Sequence, residues 1–231
     1  MDRRGFIQTC ALSAAVGLPA LAQENASPRY YNRALLVDTA GLPIKSRSLA
    51  AQRNFIFHYP YTGTPCFLLN LGKPVKAAAA LKTADAKSYL WQGGVGANAS
   101  VVAYSAICAH RLTYPSRQIS FISFRSDSSP RNKHANVIHC CSEHSQYDPA
   151  EGARVIAGPA PQPLATILLE HDKASDGIYA IGTLGGEMFN EFFSKFEFKL
   201  ALEHNGTAKR PVADRIVVSE LTRYCQQQVK C

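Results

Sequence analysis

The sequence predicts an all-β domain, a sandwich or barrel of short antiparallel strands, followed by a C-terminal extension that contains a helix. Many short runs rich in β-branched and aromatic residues are bounded by glycine and proline, which is typical of strands. Only one segment shows a convincing helical spacing of apolar residues. With 231 residues, of which 46% are hydrophobic and 18% charged, the chain can bury one sizeable core.

The N-terminus resembles an export signal. Arginines at positions 3 and 4 precede an apolar run of about a dozen residues, which ends at residues 20–22 in the small-x-small pattern of a cleavage site. We therefore expect residues 1–22 to be a twin-arginine signal peptide and the mature protein to be periplasmic. An uncleaved signal that anchors the protein to the membrane is the alternative.

The remaining chain divides into three predicted segments. Residues 23–54 show little periodicity and are predicted to be a lead-in arm, residues 55–170 the main β domain, and residues 171–231 the extension. Strands are predicted at 55–59, 65–71, 100–107, 121–124, 137–139, 165–170 and 177–182. A short helix is weakly indicated at 77–81. The polar stretch 125–134 is predicted to be an exposed loop, and the sequence leaves open whether it contacts a partner.

One helix is predicted from Glu187 to Gly206. Four phenylalanines, at positions 189, 192, 193 and 196, recur at the i, i+3, i+4, i+7 spacing of one helical face. We interpret this stripe as core packing, and the glycine as the end of the helix.

Charge and cysteine content narrow the function. The net charge of +8 is spread along the chain without a run of five basic residues, so nucleic-acid binding is not predicted, although a basic surface can steer an acidic partner. Seven cysteines are many for a cytosolic protein without a metal. In an oxidising compartment, the cysteines that bind no metal are expected to form disulfides. These are Cys66, Cys140, Cys225 and Cys231, whose pairing the sequence leaves open.

Two short boxes combine cysteine with histidine. The first is Cys108-x-His110 and the second is Cys141-x-x-His144, each at the end of a strong predicted strand. Each box can offer one thiolate and one imidazole, and a [2Fe–2S] cluster can be held by two of each. A structural zinc site accepts the same donors and is the alternative.

The residues after the second box carry a resemblance to the Rieske iron–sulfur family. Ser145-x-Tyr147-Asp148 follows the box, a Gly-Pro-Ala-Pro loop starts at Gly158, and Pro115 follows the first box. The resemblance implies a Rieske-like sandwich or barrel with a small cluster-binding subdomain. It also implies one [2Fe–2S] cluster with Cys108 and Cys141 on one iron and with His110 and His144 on the other. Ser145 and Tyr147 are then expected to donate hydrogen bonds to sulfur, and the Gly-Pro loop to cover the cluster.

The chain departs from the family in the second box. Alignment on Ser145-x-Tyr147-Asp148 places Cys140 at the cysteine position and Glu143 where histidine is expected. Alignment on Cys-x-x-His selects Cys141 and His144. We choose the second register because imidazole is the better ligand, and keep Cys140 as the alternative.

The two boxes also lack the disulfide that ties the loops in high-potential members of the family. Thr113, Ser142 and Glu143 stand at the positions where its cysteines are expected. We expect either looser cluster loops or a different tie supplied by Cys66 and Cys140.

The resemblance implies one-electron transfer by a soluble carrier or by the small subunit of an exported oxidoreductase. The expected partners are a cytochrome c-like acceptor or a larger oxidoreductase subunit, and the chain is not expected to be a catalyst alone. The iron–sulfur subunit of a quinol–cytochrome c oxidoreductase is the second hypothesis, and a zinc-stabilised binding module is the third. With imidazole ligands, the potential is expected to fall as pH rises, and to lie in the upper half of the family's range of about −150 to +300 mV.

Overall fold

The computed structural model describes residues 25–75, 78–129 and 133–231. The predicted signal peptide, part of the weakly indicated helix at 77–81 and part of the polar stretch 125–134 lie outside these residues. None of the helices in the described ranges is long and apolar enough to cross a membrane.

Strands dominate the structure, so the predicted all-β class is confirmed. The elements in chain order are β1 (Arg29–Val37), β2 (Phe55–His58), β3 (Pro65–Asn70), β4 (Ala79–Lys82), β5 (Ser88–Trp91), β6 (Val101–Ser105), β7 (Ile119–Ser120), β8 (Ile122–Arg125), β9 (Val137–Cys140), β10 (Ser145–Asp148), a 3-10 turn (Pro149–Glu151), β11 (Arg154–Ala157), β12 (Thr166–Asp172), β13 (Gly177–Leu184), α1 (Phe189–Lys195), α2 (Glu197–Glu203), β14 (Arg215–Val217), β15 (Ser219–Glu220), α3 (Leu221–Tyr224) and β16 (Gln227–Gln228).

An eight-stranded sheet forms the body of the molecule, in the order β14-β1-β13-β12-β6-β3-β2-β15. Its two outermost strands, β14 and β15, are separated in sequence by Val218 alone. The sheet therefore curls round until its ends nearly meet, which gives the barrel rather than the sandwich.

Two expectations about elements were wrong. The segment predicted as an arm contributes β1, a nine-residue strand that pairs with β13 and β14 inside the large sheet. Residues 79–82 form strand β4, paired with β5, and not a helix. β1 is held by partners distant in sequence and β4 by its hairpin partner β5, so in both cases strand pairing overrides a weak local pattern.

A second, four-stranded antiparallel sheet has the order β11-β10-β9-β8. One apolar core includes Trp91 and Tyr104 with Ile138 and Tyr147 of the small sheet, so it joins the two sheets. Cys108, which follows β6, and Cys140, the last residue of β9, belong to this shared core.

The predicted helix is two helices. α1 and α2 are separated at Phe196, whose φ of −113° and ψ of 19° are not helical, and Gly206 follows with a φ of +73°. Phe189, Phe192 and Phe193 are buried in a cluster with Leu112, so the interpretation of the stripe as core packing is confirmed.

His58, at the end of β2, makes the fold sensitive to acid. Its ring lies 5.7 Å from that of His204, and Tyr224 Oη is 3.3 Å from its Nε2. Burial, together with the charges of His204 and Arg117, lowers the pKa of His58 to about 3.

We predict a loss of stability below pH 6.5 from this histidine. In the unfolded chain, His58 binds a proton at its ordinary pKa of about 6.5, whereas in the folded chain it stays neutral down to about pH 3. The free energy of unfolding is therefore unaffected by His58 above pH 6.5 and falls as the pH drops from 6.5 towards 3. The expected loss by pH 5 is up to about 2 kcal/mol. Urea denaturation at several pH values should show this loss of unfolding free energy. The loss should be clearly smaller in His58→Gln. Equal losses in the two proteins between pH 6.5 and pH 5 would contradict the prediction.

Candidate metal centre

Two loops that carry cysteine meet at the Cys108–Cys140 and Arg111–Glu143 contacts. The first loop, residues 106–113, follows β6 and is closed by hydrogen bonds from the Cys108 N–H to the Thr113 carbonyl (2.8 Å) and from the Leu112 N–H to the Cys108 carbonyl (2.9 Å). The second loop, residues 140–145, is the hairpin turn between β9 and β10, in which Cys140 pairs with Ser145. Cys140 is therefore held at the end of β9, and Cys108 by the hydrogen bonds of its own loop.

The structure brings Cys108 together with Cys140. Both residues are buried, with 1% and 0% exposed, and the two thiols are close enough for each to shift the pKa of the other. Because side chains alternate along a strand, Cys140 shares the inner face of β9 with Ile138, and both belong to the core that includes Cys108. A pair of buried, adjacent thiols is a suitable set of ligands for iron.

Each sulfur receives hydrogen bonds from the amides of its own loop. The backbone N–H groups of His110 and Arg111 donate to Cys108, and those of Ser142 and Glu143 donate to Cys140. Both cysteines thus accept from the second and third residues that follow them. Amide donors in this arrangement stabilise negative charge on sulfur and tune the potential of iron–sulfur clusters.

The Tyr147 hydroxyl is a further partner of Cys108. Its oxygen lies 3.2 Å from Cys108 Sγ and accepts the Ala109 N–H at 3.1 Å, so its own proton is free to point at the sulfur. The tyrosine is fully buried, and β10 holds it opposite Ile138. The structure thus places Tyr147 where the resemblance implied a donor to sulfur.

The two cysteines shift each other's pKa in opposite directions. The Cys140 thiol, aided by Tyr147 and the loop amides, outweighs burial and lowers the pKa of Cys108. The same contact, together with burial, raises the pKa of Cys140. A cysteine with a lowered pKa loses its proton to a metal more readily.

Two buried polar atoms at the site have no hydrogen-bond partner among the described residues. They are His110 Nδ1 and Ser145 Oγ, one on each loop. Buried polar groups are almost always paired, so orphaned atoms beside two cysteines call for a partner other than the protein. A metal centre with sulfide would satisfy both: the imidazole nitrogen as a ligand and the hydroxyl as a donor.

The Gly-Pro loop packs against the second loop. Gly158 has a φ of +84°, and a Cβ built on it would lie 2.5 Å from the His144 carbonyl oxygen and 2.6 Å from the Ser145 Cα. Only glycine fits this close approach of two backbones. The loop therefore covers the second loop from outside.

Cys141, which the preferred register assigned as a ligand, lies elsewhere. Its sulfur forms a disulfide with Cys231, with an S–S distance of 2.13 Å, and is therefore not a thiolate. The C-terminus reaches it because β16 pairs with β7 and the Val229 N–H donates to the Ser120 carbonyl. The pairings expected among Cys66, Cys140, Cys225 and Cys231 were wrong: Cys66, Cys140 and Cys225 are free and buried.

We predict that this disulfide stabilises the fold by about 3 kcal/mol, a contribution typical of disulfides; its cysteines are 90 positions apart in the sequence. Cys231→Ser should lower the free energy of unfolding by that amount in urea denaturation. The double variant Cys141→Ser/Cys231→Ser serves as the control and should be no less stable than the single one. A single variant as stable as the unmodified chain would contradict the prediction.

The two remaining candidates of the second loop point in different directions. His144 is exposed, and its ring lies 5.9 Å from that of His139, which is buried beside Cys231. Glu143 Oε1 lies 3.5 Å from Arg111 Nε of the first loop. Hence the carboxylate, and not the imidazole, spans the gap between the loops.

His139, Cys141 and Cys231 also place their donor atoms within 4.8 Å of one another. Both sulfurs of this group are in the disulfide, and burial together with the charges of His144 and Arg125 lowers the pKa of His139 to about 4. A disulfide is not a thiolate ligand, so this group does not compete with the site at Cys108.

The C-terminal helices support the first loop, a role that the sequence analysis missed. Tyr114 packs edge-on against Phe192, with 4.9 Å between ring centroids, and Lys195 Nζ donates to the Arg111 carbonyl at 2.7 Å. The apolar face of α1 was recognised in the sequence, but nothing in the spacing indicated which loop it would cover.

Comparison with known proteins gives two findings. No protein-family model matches the chain. Among solved structures, the chain is similar to the soluble domain of Rieske protein II from Sulfolobus acidocaldarius, with 26% sequence identity over 68% of this chain and 82% of that one and a TM-score of 0.46.

Proposed function

We propose that the protein holds one [2Fe–2S] cluster between its two loops and transfers single electrons. The observation that supports this most strongly is the buried Cys108–Cys140 pair, with amide donors from both loops and the Tyr147 hydroxyl directed at its sulfurs. The orphaned His110 Nδ1 supplies a nitrogen donor beside the pair.

In this proposal, Cys108 and Cys140 bind one iron and His110 binds the other, with the fourth ligand coming from the second loop. This set replaces Cys141 with Cys140. When bound, the cluster accepts one electron at a time. The protein contributes a dry site, since both cysteines are buried, and hydrogen-bond donors that stabilise the added negative charge.

We also propose that the protein works outside the cytoplasm. Disulfides persist in oxidising compartments, and the Cys141–Cys231 bond supports such a location, as does the resemblance of the first residues to an export signal. The partner would be an acceptor protein or a larger oxidoreductase subunit. The net charge of +8 favours one with an acidic surface.

Absorption and low-temperature EPR spectra of the purified full chain test the function. A visible chromophore that bleaches on reduction by one electron, with an EPR signal appearing at the same time, is expected. A colourless protein that contains zinc would instead identify a structural metal site and refute electron transfer.

Replacing Tyr147 with phenylalanine should lower the reduction potential by roughly 60 mV, because it removes a hydrogen bond to sulfur that is worth about 1.5 kcal/mol. Tyr104→Phe is the matched control: this hydroxyl is also buried but donates to the Pro149 carbonyl, 2.7 Å away. Potentiometric titrations monitored by EPR should therefore shift for the first variant only. Equal potentials for all three proteins would argue against the role of Tyr147.

A further inference from the structure

We propose that reduction of the Cys141–Cys231 disulfide opens a second metal site, in which both thiolates and the imidazole of His139 bind one zinc ion. The site is separate from the proposed cluster. Two thiolates and one imidazole are donors that zinc prefers, with a fourth position left for water. While the disulfide is intact the site is closed, so the oxidised protein holds no zinc there.

The three donor atoms are already close together. They lie within 4.8 Å of one another, and Cys231 Sγ is 3.6 Å from both ring nitrogens of His139. In a tetrahedral zinc site with Zn–S bonds of about 2.3 Å and Zn–N bonds of about 2.0 Å, sulfur and nitrogen are about 3.5 Å apart and two sulfurs about 3.8 Å apart. Breaking the S–S bond lets the two sulfurs move apart to that spacing, and the His139 ring then has only to turn one nitrogen towards the ion.

Strand alternation separates this group from the buried cysteine pair. Cys140 belongs to the core that includes Cys108, whereas His139, its neighbour in β9, points to the opposite face. Cys141 follows the strand and contacts the C-terminus. His139 and Cys140 are therefore adjacent in sequence but available to different metals.

The C-terminus is held in place by contacts other than the disulfide. β16 pairs with β7, and the Val229 N–H donates to the Ser120 carbonyl at 2.8 Å. The Val229 carbonyl in turn accepts a hydrogen bond from the Arg125 guanidinium. Because Val229 is two residues before Cys231, these bonds keep the Cys231 thiol beside His139 at a high effective concentration after reduction.

Charge and chemistry are consistent with a redox-controlled site. Arg125 Nη2 lies 3.7 Å from Cys141 Sγ, and a neighbouring cation stabilises a thiolate. Reduction by a dithiol transfers two electrons and two protons to the Cys141–Cys231 bond and gives two thiols, while the dithiol becomes a disulfide. Zinc binding then releases both protons, and the two thiolate charges cancel those of the ion.

Cobalt(II) titration of the full-length chain tests the site, because cobalt replaces zinc in such sites and its absorption reports thiolate ligands. After reduction with a phosphine, we expect one more cobalt per chain than before reduction. Charge-transfer bands from thiolate to cobalt should appear with it, and an equal amount of zinc should displace the ion.

Three variants separate this site from other cysteines. Cys231→Ser and His139→Gln should each weaken the reduction-dependent binding by about a hundredfold or more, since each removes a ligand. Cys225→Ser is the matched control, because this cysteine is also near the C-terminus but is free and buried, and it should bind cobalt like the unmodified chain. Zinc should raise the Tm of the reduced unmodified chain but not that of reduced Cys231→Ser.

Two results would overturn the proposal. One is a chain that binds no additional cobalt although thiol titration shows that the disulfide has opened. The other is equal reduction-dependent binding by Cys231→Ser, which would place the ion at another group of cysteines. Neither result depends on the iron and sulfide content of the chain, so the proposed cluster stands or falls separately.

Discussion

Cys140→Ser is expected to abolish cluster binding, whereas Cys141→Ser is expected to retain it. The Cys140 sulfur is fully buried beside the Cys108 thiol, so its loss removes half of the sulfur ligands of the proposed cluster. The Cys141 sulfur is bonded to Cys231, so its loss affects stability and not ligation. Iron and sulfide analysis after anaerobic reconstitution is the measurement.

The two variants control for each other because they alter neighbouring residues in the same way. Cys141→Ser should bind iron like the unmodified chain and be about 3 kcal/mol less stable. The reverse outcome, with iron lost only in Cys141→Ser, would show that the Cys-x-x-His register is correct and that the disulfide is not part of the working protein.

Gly158→Ala is expected to destabilise the fold by about 3 kcal/mol and to weaken cluster retention. An added Cβ would meet the backbone of His144 and Ser145 at 2.5–2.6 Å, so the Gly-Pro loop or the second loop has to move. The left-handed backbone conformation adds about 1 kcal/mol for any residue other than glycine. Urea denaturation and iron content per chain measure the two effects.

Gly41→Ala provides the matched control. Gly41 has a nearly identical φ of +81°, but a Cβ there would find no atom within 4 Å. It should therefore cost only about 1 kcal/mol and leave the iron content unchanged. If the two alanine variants are equally stable, close contact between the Gly-Pro loop and the second loop is not a feature of the protein.

Strands with strong local patterns were predictable from the sequence. The runs at 55–59, 65–71 and 177–182 became β2, β3 and β13, because they carry β-branched and aromatic residues between turn residues. β1 was not predictable in this way. Its first residues are largely exposed, and its pairing with β13 joins residues some 150 positions apart.

The candidate site was predictable in part. Cys108 and His110 were identified from the Cys-x-His box, and Ser145 and Tyr147 from the resemblance to the Rieske family. In the structure, Tyr147 Oη lies 3.2 Å from Cys108 Sγ, and His110 Nδ1 and Ser145 Oγ are buried without a partner among the described residues. The choice between Cys140 and Cys141 was not determined by the motif. That choice depends on which side chains of β9 face the core, and on the pairing of β16 with β7 that brings Cys231 to Cys141. The residue spacing within the second box gives information on neither.

The content of iron and acid-labile sulfide in the purified chain tests the central claim most directly. Two irons and two sulfides per chain, lost together in Cys108→Ser and in Cys140→Ser, are the predicted result. A chain that contains zinc, or no metal after anaerobic reconstitution with iron and sulfide, would contradict it.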